Sequence, residues 1–352
     1  MPVTLAQAQL NAAVDLDYAV IDNLRRSSWL FDQIVFDDVV TPGTGGASLQ
    51  YGYTRLVTAA SAGFRAFNQE FVPGQATRAQ ATVNLKPMGG AYTLDRDLAN
   101  LGPASTNENT FQLQQLLASI PIRFARELLF GDIAVDPLGF DGLNKALAGT
   151  TTEVIPNASG TAYADWTNTT INTVDKAHDA MDLLDLFLSK VVPSRTGGMT
   201  GNDAGELPPG VKAIMGNTDS ITRVRSIARR AGTYTESKDD LGRTIKKYGD
   251  WVLVDLGDRE DGSAPLVPIE TRDPDGVGAG GNITGLTDLY AATFGIDSLH
   301  GASKAGSQLL RTWLPDFSTA GAVKTGEVQL GPAAMVLKNT KAAAVLRNLK
   351  VR

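Results

Sequence analysis

The stretch from residue 49 to residue 86 sets the tightest limit on how this chain can fold. Gln50–Thr58 and Phe64–Val72 are rich in aromatic and β-branched residues, with Ser61-Ala62-Gly63 between them, and both read as strands. Residues 78–86 then alternate. Arg78, Gln80, Thr82, Asn84 and Lys86 face one way, and Ala79, Ala81, Val83 and Leu85 the other, which is the period of a half-buried strand. The turns are small and polar, and large aliphatic side chains are few. A β excursion of this kind cannot build its own core. Its missing contacts must come from elsewhere in the chain or from another molecule.

The flanking segments are helical. Residues 5–34 read as a helix with Thr4 as N-cap and a stripe of Leu10, Val14, Ile21 and Leu24, broadened by Leu16 and Val20. A helix apolar on two sides needs two neighbours, in its own domain or on another subunit. Thr41-Pro42-Gly43-Thr44-Gly45-Gly46 then breaks the pattern. Beyond the β excursion, Leu113, Leu117, Ile120, Phe124 and Leu128 recur at alternating spacings of three and four. They predict a helix over residues 107–131, capped by Thr106 or Asn107, ended by Gly131, and about 35 Å long. Pro121 inside it removes the hydrogen bond to the Leu117 carbonyl and predicts a kink.

Residues 149–170 are Thr/Asn-rich and read as a loop or hairpin. Val174, Ala177, Met181, Leu184 and Leu188 mark a further amphipathic helix, followed by a Gly-rich loop at 194–210. Val211–Met215 is a short buried strand leading into a helix capped near Asp219. That helix sets Arg223, Arg225, Arg229 and Arg230 opposite Ile221, Val224, Ile227 and Ala228. Trp251–Leu256 is a strand, residues 273–285 are Gly-rich and irregular, and from Glu327 onward strands alternate with loops. Isolated strands and helices without regular βαβ alternation define an α+β chain. Its 352 residues are roughly two domains' worth.

Little in the chain supports catalysis. There are no cysteines, which excludes disulfides, thiolate metal sites and Cys nucleophiles. The two histidines, His178 and His300, carry no accompanying nucleophile elbow, and Ser303 near His300 implies no shared geometry. Gly276-Val277-Gly278-Ala279-Gly280-Gly281 matches G-x-G-x-x-G, but Asp273-Pro274-Asp275 follows the preceding strand and no helix opens at Gly281, so a surface loop is expected. Asp255, Asp258, Glu260 and Asp261 lack the rhythm of a calcium loop and read as a solvated turn. No cofactor and no metal site is expected. The net charge of −6 disfavours nucleic acid as a primary ligand. No run reaches 18 apolar residues, and the start at Met1 shows no signal-peptide pattern, so no membrane partner is expected.

The ordered set of motifs resembles the HK97-type major capsid fold of tailed bacteriophages from about residue 30 to the C-terminus. The stretches that carry the resemblance are TVNLKPMGGAYTLDRDLANLG, FARELLFGD and FDGLNKAL, then GVKAIMGNTDSITRVRSI and GEVQLGPAAMVLKN. They match, in order, a strand leaving the extended loop with an Arg96-Asp97 pair, a spine helix ending in Gly131-Asp132, and a Gly142–Lys145 turn. After these come the strand, Asn and helix of an axial domain, and a late strand.

The resemblance implies an N-arm at 1–46, an extended loop at 47–87, and a peripheral domain at 88–167 with the spine helix at 107–131. It implies an axial domain at 168–300 and a return at 301–352 that ends in the axial domain. It further implies a non-enzymatic major capsid protein. Hexamers and pentamers of this chain would form an icosahedral shell around double-stranded DNA, in a virion made in the host cytoplasm. A separate scaffolding protein, a portal and decoration proteins are the other implied partners. Subunit contacts would involve Leu10, Val14, Phe64, Arg65, Phe67, Glu70, Arg78, Arg225 and Arg229. Residues 47–85 contain no lysine, so no covalent cross-link through the loop is expected; Lys86 lies at its base. An encapsulin-like shell around a protein cargo is the alternative.

Overall fold

The computed structural model describes residues 29–40, 49–99, 108–156, 161–192, 211–231, 235–238, 244–276, 281–304 and 309–352. Helix α1 (Trp29–Gln33) leads into β1 (Phe36–Val40). Strands β2 (Gln50–Thr58) and β3 (Thr77–Asn84) form a hairpin, followed by β4 (Lys86–Asp95) and a short α2 (Arg96–Ala99). The long helix α3 (Glu108–Phe130) and α4 (Leu143–Leu147) precede two very short strands, β5 (Glu153–Val154) and β6 (Ala164–Asp165). Next come α5 (Val174–Ser189), β7 (Lys212–Gly216), α6 (Thr218–Arg230), β8 (Thr235–Lys238), β9 (Thr244–Tyr248) and β10 (Trp251–Asp255). The remainder is nearly all strand: β11 (Glu270–Arg272), β12 (Ile283–Thr293), β13 (Leu299–Lys304), β14 (Leu310–Trp313), β15 (Val323–Leu337) and β16 (Ala343–Lys350).

Two sheets organise these elements. The first runs β1-β13-β15-β14, with β4 also paired to β15. The early half of β15 pairs with β4 from Val323↔Asp95 to Leu330↔Met88, and its later half with β13 from Ala333↔Ser303 to Leu337↔Leu299. The second sheet runs β5-β16-β12-β7-β10-β9-β8, with β6 on β16 and β11 on β12. Strand alternation gives this sheet two buried faces. Ala213, Met215, Tyr290, Ala292 and Val345 share a core with Phe130 of α3 and with α4. Ile214, Leu289, Ala291, Ala344 and Leu346 lie in a second core with α5 and α6. Burial on both faces explains why Leu289–Ala292 of β12 and Ala343–Leu346 of β16 are so apolar.

A buried ionic knot ties the second sheet to α4. Asp288 on β12 accepts from Arg272 on β11 and from Arg347 on β16, the latter at 3.2 Å. Arg347 also meets Glu153 on β5 at 2.8 Å and the Asn144 side chain on α4, and Asn144 accepts the Tyr290 hydroxyl at 3.0 Å. Burial, first, and the Asp288 carboxylate push the Tyr290 hydroxyl up.

Helices α3, α5 and α6 fall where the periodicities place them, and Pro121 lies inside α3. Of the expected helix at 5–34, only Trp29–Gln33 falls among the described residues, as helix. The candidate caps Thr106 and Asn107 and the loop at 194–210 lie outside the described residues. Gly131 does end α3, but for a different reason than a left-handed turn. Its φ is not positive, and a Cβ there would sit 2.2 Å from the Phe140 carbonyl oxygen and 2.5 Å from that of Glu127. Close approach of backbone, not conformational freedom, requires the glycine.

Helix α6 is capped by Asn217 rather than near Asp219. The Asn217 Oδ1 accepts the Ser220 N–H at 2.8 Å while its Nδ2 donates to the Val267 carbonyl at 3.1 Å and to Thr287 at 2.7 Å. Residues 149–170 make no hairpin: β5 and β6 each pair in parallel with β16. The expected domain break at 167 therefore falls past two strands that already belong to the second sheet. Phe64–Val72 is not a strand; apart from a turn at Phe67-Asn68 it is irregular. Its β-forming residues find no pairing strand among the described residues, and propensity without a neighbour to pack on does not hold a strand.

Candidate assembly surface

The hairpin at residues 50–84 has a root and a tip of opposite character. Nearly continuous antiparallel pairing runs from Gln50↔Asn84 to Thr58↔Thr77. The Leu85 N–H donates to the Leu49 carbonyl at 2.7 Å and closes the base. The period of two puts Tyr51, Tyr53 and Arg55 on one face of β2, and that face is clamped to the end of β15. The Tyr51 hydroxyl donates to Asp37 on β1 at 3.0 Å, and the Tyr53 hydroxyl to the Leu337 carbonyl at 3.2 Å. Arg55 donates from Nε to the Lys338 carbonyl at 3.0 Å and from Nη2 to the Leu337 carbonyl, with its guanidinium over the Tyr53 ring. Burial raises both tyrosine hydroxyls. The Asp37 hydrogen bond pushes Tyr51 further up, whereas Arg55 pulls Tyr53 partly back.

Beyond Thr58 the hairpin has no core. Phe64 and Phe67 are wholly exposed, and Phe71, Val72, Leu56 and Val57 stand more than 60% exposed. Among the described residues the tip's contacts are local: Arg65 donates to the Gln69 carbonyl at 3.1 Å and lies over the Phe71 ring at 5.4 Å. Phe64, Arg65, Phe67 and Glu70 are thus brought together at the tip. Arg78 is exposed on the stalk opposite Leu56. Leu10 and Val14 lie outside the described residues.

A second surface belongs to the helix pair. Helix α5 exposes Asp175, Asp179, Asp182 and Asp185, and Asp185 accepts the Tyr248 hydroxyl at 2.7 Å. On α6, Arg229 is exposed and Arg225 half-buried. Arg223 donates to the Val351 carbonyl at 3.2 Å and Arg230 to Asn168 at 3.3 Å. Arg225 and Arg229 therefore share a helix but not a locality with the hairpin residues.

The remaining candidates do not assemble into a reactive site. His178 is exposed on α5, and His300 is fully buried in β13. The acidic turn is spent on structure: Asp255 accepts from Thr218 at 3.0 Å, Asp261 accepts from Ser263, and Glu260 pairs with Arg126 of α3 at 3.1 Å. Among the described residues no cluster of three or more His, Asp or Glu side chains is placed to hold a metal ion. Gly276 and Gly281 both have φ near +68°, and β12, not a helix, opens at Ile283. No helix among the described residues is long and apolar enough to cross a membrane.

The root clamp was not foreseen from sequence. Its donors show as a Tyr-x-Tyr-x-Arg alternation, but its acceptors do not show.

The two sheets, the long helix and the β2–β3 hairpin together make an HK97-like fold, and comparison with solved structures shows the same fold. The SrpI encapsulin of Synechococcus elongatus matches with a TM-score of 0.61 at 13% identity, over 100% of this chain and 97% of that one. The capsid of a native GTA particle matches with a TM-score of 0.57 at 12% identity, over 98% and 97%. A structure from Mycobacterium phage Bobi matches with a TM-score of 0.56 at 9% identity, over 99% of both chains. No family model and no curated protein matches the sequence.

Proposed function

We propose that this chain is a phage major capsid protein: many copies close into an icosahedral shell of hexamers and pentamers around packaged double-stranded DNA. The observation that carries this is the hairpin whose root is locked into the chain's own core while its tip holds bare aromatic rings. Burying Phe64, Phe67, Phe71 and Val72 on a neighbour would contribute about 1.5–3 kcal/mol each before the costs of association. An isolated monomer gains nothing from displaying them. The fold shared with the capsid of a GTA particle and with a mycobacteriophage structure over nearly the full chain supports the same reading.

In this reading residues 1–46 are an N-arm and 47–87 the extended loop. The first sheet with α3 forms the peripheral domain, and the second sheet with α5 and α6 the axial domain. Tip residues Phe64, Arg65, Phe67 and Glu70, with Arg78 on the stalk and Leu10 and Val14 on the arm, contact neighbouring copies. Within a ring, Arg225 and Arg229 of α6 meet the acidic face of α5 on the next copy, a head-to-tail contact of the kind that closes rings. The role is structural rather than enzymatic, and the contacts are non-covalent. A scaffolding protein, a portal and decoration proteins are further partners of such a shell. An encapsulin-like shell is the second reading, favoured by the match to the SrpI encapsulin.

Electron microscopy of the purified protein tests the class. Closed icosahedral particles are expected, with DNA inside in the phage and a protein cargo in the alternative. A stable monomer, or tubes alone, would overturn the shell. A ladder of covalent oligomers on a denaturing gel would overturn the non-covalent contacts.

A further inference from the structure

His300 lies at the centre of the hairpin root. It is 0% exposed, and neither ring nitrogen makes a well-formed hydrogen bond, although the Ser298 backbone lies close enough to favour its charged form. Leaving a buried polar group unpaired costs about 1–3 kcal/mol. The edge-to-face contact with Tyr51, centroids 5.8 Å apart and planes at 73°, makes the imidazole the floor on which β2 sits.

Ionisable groups surround it on every packed element. Asp37 comes from β1; Tyr51, Tyr53 and Arg55 from β2; Asp297 from the turn before β13; Lys338 from just past β15; Lys304 lies four residues further along β13. The nearby acceptors each hold part of the root together. Asp37 takes the Tyr51 hydroxyl at 3.0 Å, and the Ser298 carbonyl takes the Lys338 N–H at 3.2 Å. A neutral ring is tolerated there. An imidazolium brings two N–H donors and a charge that burial and the Lys338 ammonium oppose; hydrating that ring requires lifting Tyr51, which undoes the clamp.

We propose that His300 is a proton-operated latch on the hairpin root: uptake of one proton from solvent by its ring releases Tyr51 and lets the β2–β3 stalk swing away from β13 and β15. The latch is a property of the single chain and does not rest on the shell reading.

The direction follows from linkage. Burial, first, and the Lys338 charge hold the proton affinity of His300 down to about 4 from the ordinary 6.5, with Asp37, the Ser298 backbone and Asp297 acting the other way. The open form therefore binds the proton at a higher pH than the closed form. The closed root is fully favoured above about pH 6.5 and loses ground as pH falls towards 4, by about tenfold in the open-to-closed ratio per pH unit for one linked proton.

Hydrogen exchange of the full-length protein reads this directly. After correction for intrinsic exchange, protection of amides 50–58 and 77–84 should fall about tenfold per unit between pH 6 and 4.5. His300→Phe keeps an aromatic floor without the proton site and should flatten that dependence, whereas Asp37→Asn should keep it. Protection independent of pH in the natural chain would overturn the latch, as would a His300→Phe variant as pH-sensitive as the natural chain.

If His300→Phe fails to fold, ring-labelled NMR decides, because the chain has only two histidines. The His300 signal should change only as stalk exchange rises. Titration without stalk opening would sink the proposal.

Discussion

The root and the tip of the β2–β3 hairpin belong to one element, yet they stand in opposite relation to the rest of the chain. At the root, Tyr51 is 4% exposed and every polar end of the Tyr51, Tyr53 and Arg55 face has a partner. Some 15 residues further on, Phe64 and Phe67 touch almost nothing. A two-stranded ribbon is marginal alone; the chain commits its own core to the root, and in the proposed shell the tip is completed from outside. In the proposed shell, folding and assembly therefore fall to different residues, and perturbations should separate them.

The largest separation should come from deleting residues 59–75 and closing β2 to β3 with a short turn. The root is untouched, so the melting temperature should stay at its natural value while closed particles vanish from electron micrographs. Normal shells from this deletion would show that the tip is not the reaching contact.

The opposite perturbation is Asp288→Ala in the ionic knot, far from the hairpin. It removes the carboxylate that Arg272 and Arg347 share, while Arg347 keeps Glu153 and Asn144 and Arg272 keeps Asn348, and should cost about 1–3 kcal/mol in denaturant unfolding. Particle yield should fall only in step with the loss of folded chain.

The smallest effect concerns the helix faces, where each exposed ion pair contributes about 0.2–1 kcal/mol. Reversing Asp175, Asp179 and Asp182 to Lys, or Arg225 and Arg229 to Glu, should each weaken ring formation, and both reversals in one chain should restore it. Mixing the two single-face variants allows alternating neighbours, which can close six-membered rings but not five-membered ones. Flat sheets or tubes are then expected instead of closed shells. Single-face variants that assemble normally would remove these helices from the contact.

Much of this division was open to a reader of the sequence, and the remainder was hidden for physical reasons. The period-3.6 stripes of α3 and α5 are local, so Leu113 to Leu128 and Ala177 to Leu188 announced their helices directly. The poverty of large aliphatics between residues 49 and 86 announced a segment dependent on something else. Phe64–Val72 has strand composition, but pairing is a property of two segments, and no partner segment shows among the described residues. The root clamp escaped notice because Tyr53 and Arg55 meet acceptors 282–284 positions along the chain. Nothing near His300 in sequence signals that β1 and β2 will close over it. The overall order of elements came from the resemblance, since periodicity alone supported only an α+β chain.

Two of the three acceptors of the root clamp are the main-chain carbonyls of Leu337 and Lys338; the third is the Asp37 carboxylate. A carbonyl is present whatever residue occupies the position, so substitutions at 337 and 338 leave that half of the contact chemically intact. For that half only Tyr53 and Arg55 must be kept, and they lie on a strand free to vary on its other face. A joint built this way tolerates extensive drift in sequence while preserving where the hairpin points, which suits a fold still matched almost end to end by structures at 9–13% identity.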